Sequence, residues 1–84
     1  MGAADDLFER MCRSRAGWRQ ADLETLYLGF GFEKREGGKH TVYWHPRHPA
    51  LRATVTRARD LPVGYVQEAL RLIRELKARE GETE

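Results

Sequence analysis

The chain has 84 residues, of which 40% are hydrophobic and 33% charged, and its formal net charge at pH 7 is +2. This length suits one domain spanning residues 1–84 with a small core. The single cysteine, Cys12, excludes an internal disulfide and a cysteine-based zinc cluster. No apolar run reaches the length of a signal-peptide core or a membrane span, so we expect a cytoplasmic protein with no membrane partner.

Charge is distributed unevenly along the chain. The segment Lys34–Arg59 contains seven Lys or Arg residues and one carboxylate, which gives it a formal charge of +6, and it also holds all three histidines. Carboxylates gather near the two ends, at Asp5, Asp6, Glu9, Glu80, Glu82 and Glu84. A basic segment of this kind predicts a polyanionic partner, with RNA or DNA phosphates as the first candidates.

Two helices are predicted before the basic segment. The first covers Ala4–Cys12 and the second Arg19–Leu28, because apolar residues recur at helical spacing in both. The polar stretch Arg13–Gly17 separates them. Gly29 and Gly31 are predicted to end the second helix, since glycine readily adopts the left-handed conformation found at helix ends.

Three short strands are predicted next. Phe32–Glu36 and Thr41–His45 form a hairpin around the glycine pair 37–38. The loop 45–49 contains two prolines and is expected to interrupt the hydrogen-bond ladder, because proline has no N–H to donate. Ala53–Thr56 alternates small apolar residues with threonine, which is typical of a half-buried strand.

The last predicted element is a helix capped by Asp60, with Pro62 in its first turn. It ends at about Lys77, and the tail Ala78–Glu84 is expected to fray. Its apolar stripe consists of Val63, Val66, Ala69, Leu70, Ile73 and Leu76. The whole order predicts an α+β two-layer sandwich (α-α-β-β-β-α), with the helices on one face of a three-stranded antiparallel sheet and the other face open.

His40, directly after the glycine turn, is the candidate catalytic residue. An imidazole can give or take a proton at neutral pH, as attack of an RNA 2′-hydroxyl on its phosphate requires. No metal or other cofactor is needed if cations stabilise the phosphorane, and the available cations are Lys34, Arg35, Lys39 and Arg57. The alternative is a solvated or structural histidine. Strand alternation places His40 with Val42 and Trp44, opposite Tyr43, but leaves open which face is buried.

Other residues of the basic segment are candidates for contacts with RNA. Tyr43 or Trp44 could stack on an unpaired base, and only one of them can be free, because the other faces the core. Gly38 allows the backbone to approach a ligand closely. Arg52, Arg57 and Arg59 could grip phosphates, or they could form an ordinary solvated edge.

His45 and His48 are three residues apart, a spacing that raises the possibility of a metal site. Zinc needs three or four ligands and no cysteine lies nearby to complete the set. We therefore expect no metal here, and the simpler interpretation is a proline-containing loop whose histidines face water.

Three short motifs, in this order and spacing, resemble the HicA family: Gly31-Phe32-Glu33, then residues 38–43 (Gly-Lys-His-Thr-Val-Tyr), then His45-Pro46. The similarity runs from about Arg19 to Leu76. It implies a fold like that of double-stranded-RNA-binding domains and a metal-independent endoribonuclease toxin that cuts messenger RNA. It also implies inhibition by a HicB-like antitoxin protein, and it places the catalytic histidine at His40.

The chain departs from the family pattern at two points. Lys39 stands where the family usually has serine, and an additional N-terminal helix (residues 1–16), on which two copies could associate, precedes the shared region. Lys39 either contacts a phosphate or marks a binder that no longer cleaves. Two other functions stay open: a non-catalytic double-stranded-RNA binder that reads shape and 2′-hydroxyl groups, and a module whose basic face docks an acidic protein.

Overall fold

Three helices and a three-stranded antiparallel sheet make up the part of the chain that the computed structural model describes, residues 2–81. The elements are α1 (Ala3–Arg13), α2 (Gln20–Gly29), β1 (Glu33–Glu36), β2 (His40–His45), β3 (His48–Thr56) and α3 (Val63–Arg79). The strand order is β1-β2-β3. The predicted fold class, α+β with the layout α-α-β-β-β-α, is confirmed.

The pairing register decides which side chains of the sheet face the helices. Thr41 lies opposite Val55 and Tyr43 opposite Ala53, and all four residues are buried. Side chains alternate between the faces of a strand, so the residues between them point the other way. His40 on that other face is exposed. The choice that the sequence left open is therefore settled in favour of Tyr43 as the buried aromatic.

Each helix contributes buried apolar side chains to the core. Leu7 and Met11 come from α1, so the additional N-terminal helix is part of the packed core rather than an appendage. The buried residues of α3 are Val66, Ala69, Leu70, Leu72, Ile73 and Leu76. The predicted stripe differs from this set at two positions: Val63 is 40% exposed where the helix begins, and Leu72, which was not predicted, is buried.

Tyr27 of α2 lies at the centre of the core and stacks on Tyr43 of β2. The ring centroids are 4.4 Å apart and the planes differ by 19°, while Phe32 packs against the same Tyr27 ring at 5.0 Å. Burial raises the pKa of both phenols, that of Tyr43 to about 12. The Tyr27 hydroxyl is buried without a hydrogen-bond partner among the described residues. Packing of the ring, and not its hydroxyl, joins the second helix to the sheet.

The connection between β2 and β3 differs from the prediction. The turn consists of Pro46 and Arg47, and β3 already begins at His48, so it includes Pro49. Regular pairing is interrupted here as expected, because Trp44 pairs with Arg52 and His45 with His48, which leaves residues 49–51 without a partner in the register. The strand itself nevertheless continues through Pro49, so the predicted third strand was only its second half. β3 lies at the edge of the sheet, where a strand tolerates a proline. A register shift after Trp44 absorbs the irregularity.

Both ends of α3 also differ from the prediction. The helix begins after Pro62, which occupies the N-cap position without a side-chain hydrogen bond, so Asp60 is not its cap. At the other end Ala78 and Arg79 are helical, so the expected fraying of the tail is wrong for these two residues. The tail residues 82–84, including Glu82 and Glu84, lie outside the described residues.

Two glycines near the end of α2 have different roles. Gly31 has a φ of 90°, the left-handed conformation that the sequence predicted. A Cβ atom at Gly31 would also lie 3.2 Å from Nε2 of the buried His45. Gly29, in contrast, is helical, and a Cβ there would lie 2.5 Å from the Cβ of Ala4. Gly29 is thus small because α1 packs closely against α2.

Among the described residues, no helix is both long enough and apolar enough to cross a lipid bilayer.

We predict that Gly31→Ala destabilises the protein by about 2 kcal/mol, because a side chain is strained in the left-handed region and crowds the His45 ring. Gly38→Ala is the matched control. Gly38 does not have a positive φ, and a Cβ there would meet nothing within 4 Å. Urea unfolding followed by tryptophan fluorescence should show a lower midpoint for Gly31→Ala alone. Equal midpoints for the two variants would contradict the role given to Gly31.

Candidate nucleic-acid interface

The side of the sheet that faces away from the helices carries most of the chemically useful side chains. We call it the outer face, and it consists of Glu33 and Arg35 from β1, His40, Val42 and Trp44 from β2, and Arg52, Thr54 and Thr56 from β3. Val42 and Trp44 are half-buried and the other six are exposed. The outer face therefore combines one indole ring, one imidazole and two guanidinium groups on a single surface.

A shallow pocket of about 380 Å³ lies around Trp44. We call it the Trp44 pocket. Its lining consists of Arg35, Val42, Trp44, Pro49 and Arg52. Arg52 pairs directly with Trp44 across the strands, and Arg35 pairs with Val42. An indole flanked by two guanidinium groups can stack on a planar base while the cations contact phosphates.

His40 lies at the other end of β2, where the strand leaves the β1–β2 turn. Its Cα partner on β3 is Thr56. The backbone N–H of Gly37 donates to the His40 carbonyl at 2.8 Å, so the hairpin fixes the backbone while the imidazole is exposed. His40 and Trp44 are four positions apart, which corresponds to about 13 Å along a strand. Both side chains point to the same face.

Arg57 stabilises the β1–β2 turn instead of projecting toward a ligand. Its backbone N–H donates to the Lys39 carbonyl at 2.8 Å, and its Nη2 donates to the carbonyls of Gly37 (2.8 Å) and Gly38. These contacts hold Gly38 and Lys39, both exposed, next to His40. Arg57 thus orders the turn, and its contact with a phosphate stays a prediction.

Lys34 is not part of the outer face. It pairs with Tyr43, so it lies on the helix-facing side of the sheet. Its Nζ is 3.0 Å from Glu24 Oε1 and 2.8 Å from Glu36 Oε2. Hydrogen bonds to the two carboxylates raise the pKa of Lys34, first from Glu36 and then from Glu24. This ammonium group is thus paired with two carboxylates on the side of the sheet opposite the outer face, and its phosphate contact stays a prediction.

Two further RNA-contacting candidates are placed elsewhere. Tyr43 is only 2% exposed and stacks on Tyr27, so it is unavailable to a base and its predicted contact is wrong. Arg59 does not lie on the outer face either. It lines a second pocket of about 430 Å³, which we call the Trp18 pocket, formed by Gly17, Trp18, Arg19, Arg59, Asp60 and Leu61. Trp18 is half-buried there and packs against the hydrophobic core.

His45 and His48 are not loop residues facing water. His45 is fully buried, its Nδ1 accepts the Arg47 backbone N–H at 3.2 Å, and its Nε2 has no hydrogen-bond partner among residues 2–81. His48 Nε2 lies 3.1 Å from Glu80 Oε2, which also accepts two hydrogen bonds from the Arg47 guanidinium. Within the described chain, no group of three or more His, Cys, Asp or Glu residues is arranged to hold a metal ion.

The sequence indicated some members of the interface and missed others. His40, Arg35 and Lys39 are exposed at or beside the outer face, as their position in the basic segment suggested. Pro49 and Val42 were not considered as lining residues, because only the register of β3 brings Pro49 beside Trp44. Arg19 gave no signal beyond its charge, since its proximity to Arg59 depends on packing between distant segments.

No protein-family model, curated protein or solved structure matches this chain.

We predict that His45 makes the protein less stable at pH 5 than at pH 7. Burial, and then the charge of Arg47, lower the pKa of His45 below its value near 6.5 in an unfolded chain. The stability is therefore fully present above about pH 6.5 and is lost as the pH falls toward the folded-state pKa, because the unfolded chain binds the proton more readily.

The matched variant for this prediction is His45→Leu, which replaces the imidazole with a side chain of similar size that does not titrate. Its free energy of unfolding should change less between pH 7 and pH 5 than that of the wild type, as measured by urea titration at each pH. Comparing slopes removes the effect of the neighbouring His48–Glu80 contact, which is present in both proteins. Parallel pH profiles for the two proteins would show that His45 is not responsible.

Proposed function

We propose that the outer face binds single-stranded RNA and that His40 promotes its cleavage, as expected for an mRNA endoribonuclease toxin of the HicA type. The observation that carries this proposal is the shared orientation of His40, Trp44, Arg35 and Arg52 on one solvent-facing side of the sheet. Each of these side chains offers a group that RNA binding or phosphodiester cleavage uses, and no helix among the described residues intervenes.

Binding rests on the Trp44 pocket. The indole ring offers a stacking surface for one base, and stacking of this kind contributes about 1–3 kcal/mol per base. Arg52, opposite the ring on β3, and Arg35, two residues along β1 from the Trp44 partner Glu33, supply positive charge for phosphates near that base. Because these contacts are electrostatic, affinity for RNA should fall as the salt concentration rises.

Cleavage rests on His40 and its neighbour Lys39. In the proposed step the 2′-oxygen of a ribose forms a bond to the adjacent phosphorus while the bond from phosphorus to the 5′-oxygen breaks. The proton of the 2′-hydroxyl passes to the His40 imidazole, and the 5′-oxygen takes a proton from water. The products are a 2′,3′-cyclic phosphate and a 5′-hydroxyl end. The ammonium group of Lys39 stabilises the charge that develops on the phosphoryl oxygens.

The same proposal includes a partner and a compartment. A HicB-like antitoxin would silence the protein most directly by covering the outer face and so blocking His40. Such a partner needs acidic side chains opposite Arg35, Arg52 and Lys39. Both the RNA substrate and this partner place the protein in the cytoplasm.

The test compares the wild type with His40→Ala on single-stranded messenger RNA in the presence of EDTA. The wild type should cleave the RNA and leave cyclic phosphate ends, and the variant should be slower by about 10²–10⁴-fold, the usual contribution of one acid–base residue. His40 is exposed, so circular dichroism and RNA affinity should be unchanged in the variant. RNA with 2′-deoxy residues should bind without being cut.

Equal cleavage by both proteins would show that His40 is not catalytic. If both proteins bind the RNA and neither cuts it, the second candidate function, RNA binding without cleavage, replaces the first. One observation favours that candidate: two of the four predicted cations are engaged within the protein, Lys34 by two carboxylates and Arg57 by the turn carbonyls. Electrostatic stabilisation of the phosphorane would then come mainly from Lys39.

A further inference from the structure

The Trp18 pocket has the same key groups as the Trp44 pocket. Each contains one tryptophan and two arginines, and the chain has only two tryptophans, so every indole in the protein belongs to one of these pockets. The arginines are Arg19 and Arg59 in the Trp18 pocket, and Arg35 and Arg52 in the Trp44 pocket. The volumes are also similar, about 430 and 380 Å³.

The Trp18 pocket lies beyond the end of the sheet that carries His40. Thr56 is the Cα partner of His40 and the last residue of β3, and Arg59 follows it by three residues. On the other wall, Gln20, the neighbour of Arg19, donates from Nε2 to the Thr56 carbonyl at 3.2 Å. One wall of the pocket is thus hydrogen-bonded to Thr56, and the other follows Thr56 closely along the chain. The Trp44 pocket lies toward the opposite end of β2, so along the strand direction His40 lies between that pocket and the segment that leads from Thr56 into the Trp18 pocket.

The Trp18 ring is held in place by the protein. Its Nε1 donates to the Ser14 carbonyl at 2.6 Å, and the Arg10 guanidinium lies over one face of the ring, 5.5 Å from the centroid, which leaves only the other face for a ligand. The backbone of Arg19 is fixed by a hydrogen bond of its N–H to the Asp22 carboxylate at 2.9 Å. An aromatic surface that is already ordered loses little side-chain entropy when a ligand binds to it.

The chemistry of the lining favours a nucleotide over a bare anion. Arg19 and Arg59 can contact a phosphate, and Trp18 can stack on a base. Asp60, which also lines the pocket, would repel a second phosphate, but its carboxylate can accept a hydrogen bond from an amino group on a base edge. A nucleotide presents all three of these features together.

We infer that the Trp18 pocket binds a second nucleotide of the same RNA strand that occupies the Trp44 pocket. The inference rests on the proposed RNA binding of the outer face and extends it. A strand anchored on both sides of His40 presents the intervening phosphodiester bonds to the imidazole. Two linked sites also bind more tightly than either alone, because the second contact becomes intramolecular. The protein should therefore require a minimum RNA length.

The first test uses the fluorescence of each tryptophan to report on ligand binding in its own pocket. Trp44→Phe leaves Trp18 as the single indole, and Trp18→Phe leaves Trp44. The probe is single-stranded RNA with 2′-O-methyl groups, which lacks the attacking hydroxyl and is not cleaved by the proposed route. With RNA of about 10 nucleotides, within the usual range of single-strand site sizes, both reporters should respond and saturate together. With about 3 nucleotides, affinity should be at least about 10-fold lower.

The second test compares Arg59→Ala with Arg71→Ala, an exposed arginine on α3 that lines neither pocket. Arg59→Ala should weaken binding of the longer RNA and reduce the slope of log affinity against log salt by about 1, as loss of one phosphate contact does. Arg71→Ala should change neither quantity. Circular dichroism of both variants should match the wild type, because both arginines are exposed.

The outcomes separate this inference from the proposed function. The second site is wrong if the longer RNA binds and changes the Trp44 fluorescence, while the Trp18 fluorescence stays unchanged and Arg59→Ala has no effect on affinity. RNA binding by the outer face would still stand in that case. If no RNA of either length binds the wild type, the proposed function itself fails. Saturation of both reporters, together with the Arg59 salt effect, supports the two-site arrangement.

Discussion

The stacking of Tyr27 on Tyr43 is the contact on which the arrangement of the sheet depends. With Tyr43 buried against α2, alternation turns Thr41 inward and His40 and Trp44 outward. A shift of one residue would exchange the two sets and bring the imidazole under the helices. The accessibility of every candidate group on β2 therefore follows from one aromatic contact between residues that lie 16 positions apart. The chemistry of the surface is a consequence of the packing of the interior.

The positive charges of the basic segment do not all lie on one surface of the protein. Lys34 is neutralised by Glu24 and Glu36 on the inner side, and Arg47 contacts Glu80 at 2.6 Å beside the second turn. Arg57 is used to hold the first turn. The remaining basic residues divide between two pockets and the turn next to His40: Arg35, Lys39, Arg52 and Arg59. The formal charge of the segment therefore overestimates the positive charge that is available on any one surface of the protein.

Local pattern was enough to predict the helices, the first hairpin and the order of the elements, because helical and strand periodicity are properties of neighbouring residues. What failed depended on distant contacts. Pro49 was predicted to lie in a loop before the third strand. It lies within that strand, because the strand is at the edge of the sheet, where a proline is tolerated. Gly29 ends α2 as predicted, but its small size has a further reason that the sequence did not show, the close contact with Ala4 in another helix. The pocket that Trp18 and Arg59 line together also depends on contacts between segments distant in sequence.

The two border strands of the sheet have a consequence for self-association. β1 is only four residues long and every one of them is charged, while β3 carries Pro49 and a register irregularity. Short, charged or proline-containing edges are poor templates for pairing with a strand from another molecule. The sheet is thus protected at both borders against growth into aggregates, although its outer face must remain uncovered. Both features disfavour edge-to-edge association of two copies of the sheet, while the exposed side chains of the outer face stay accessible.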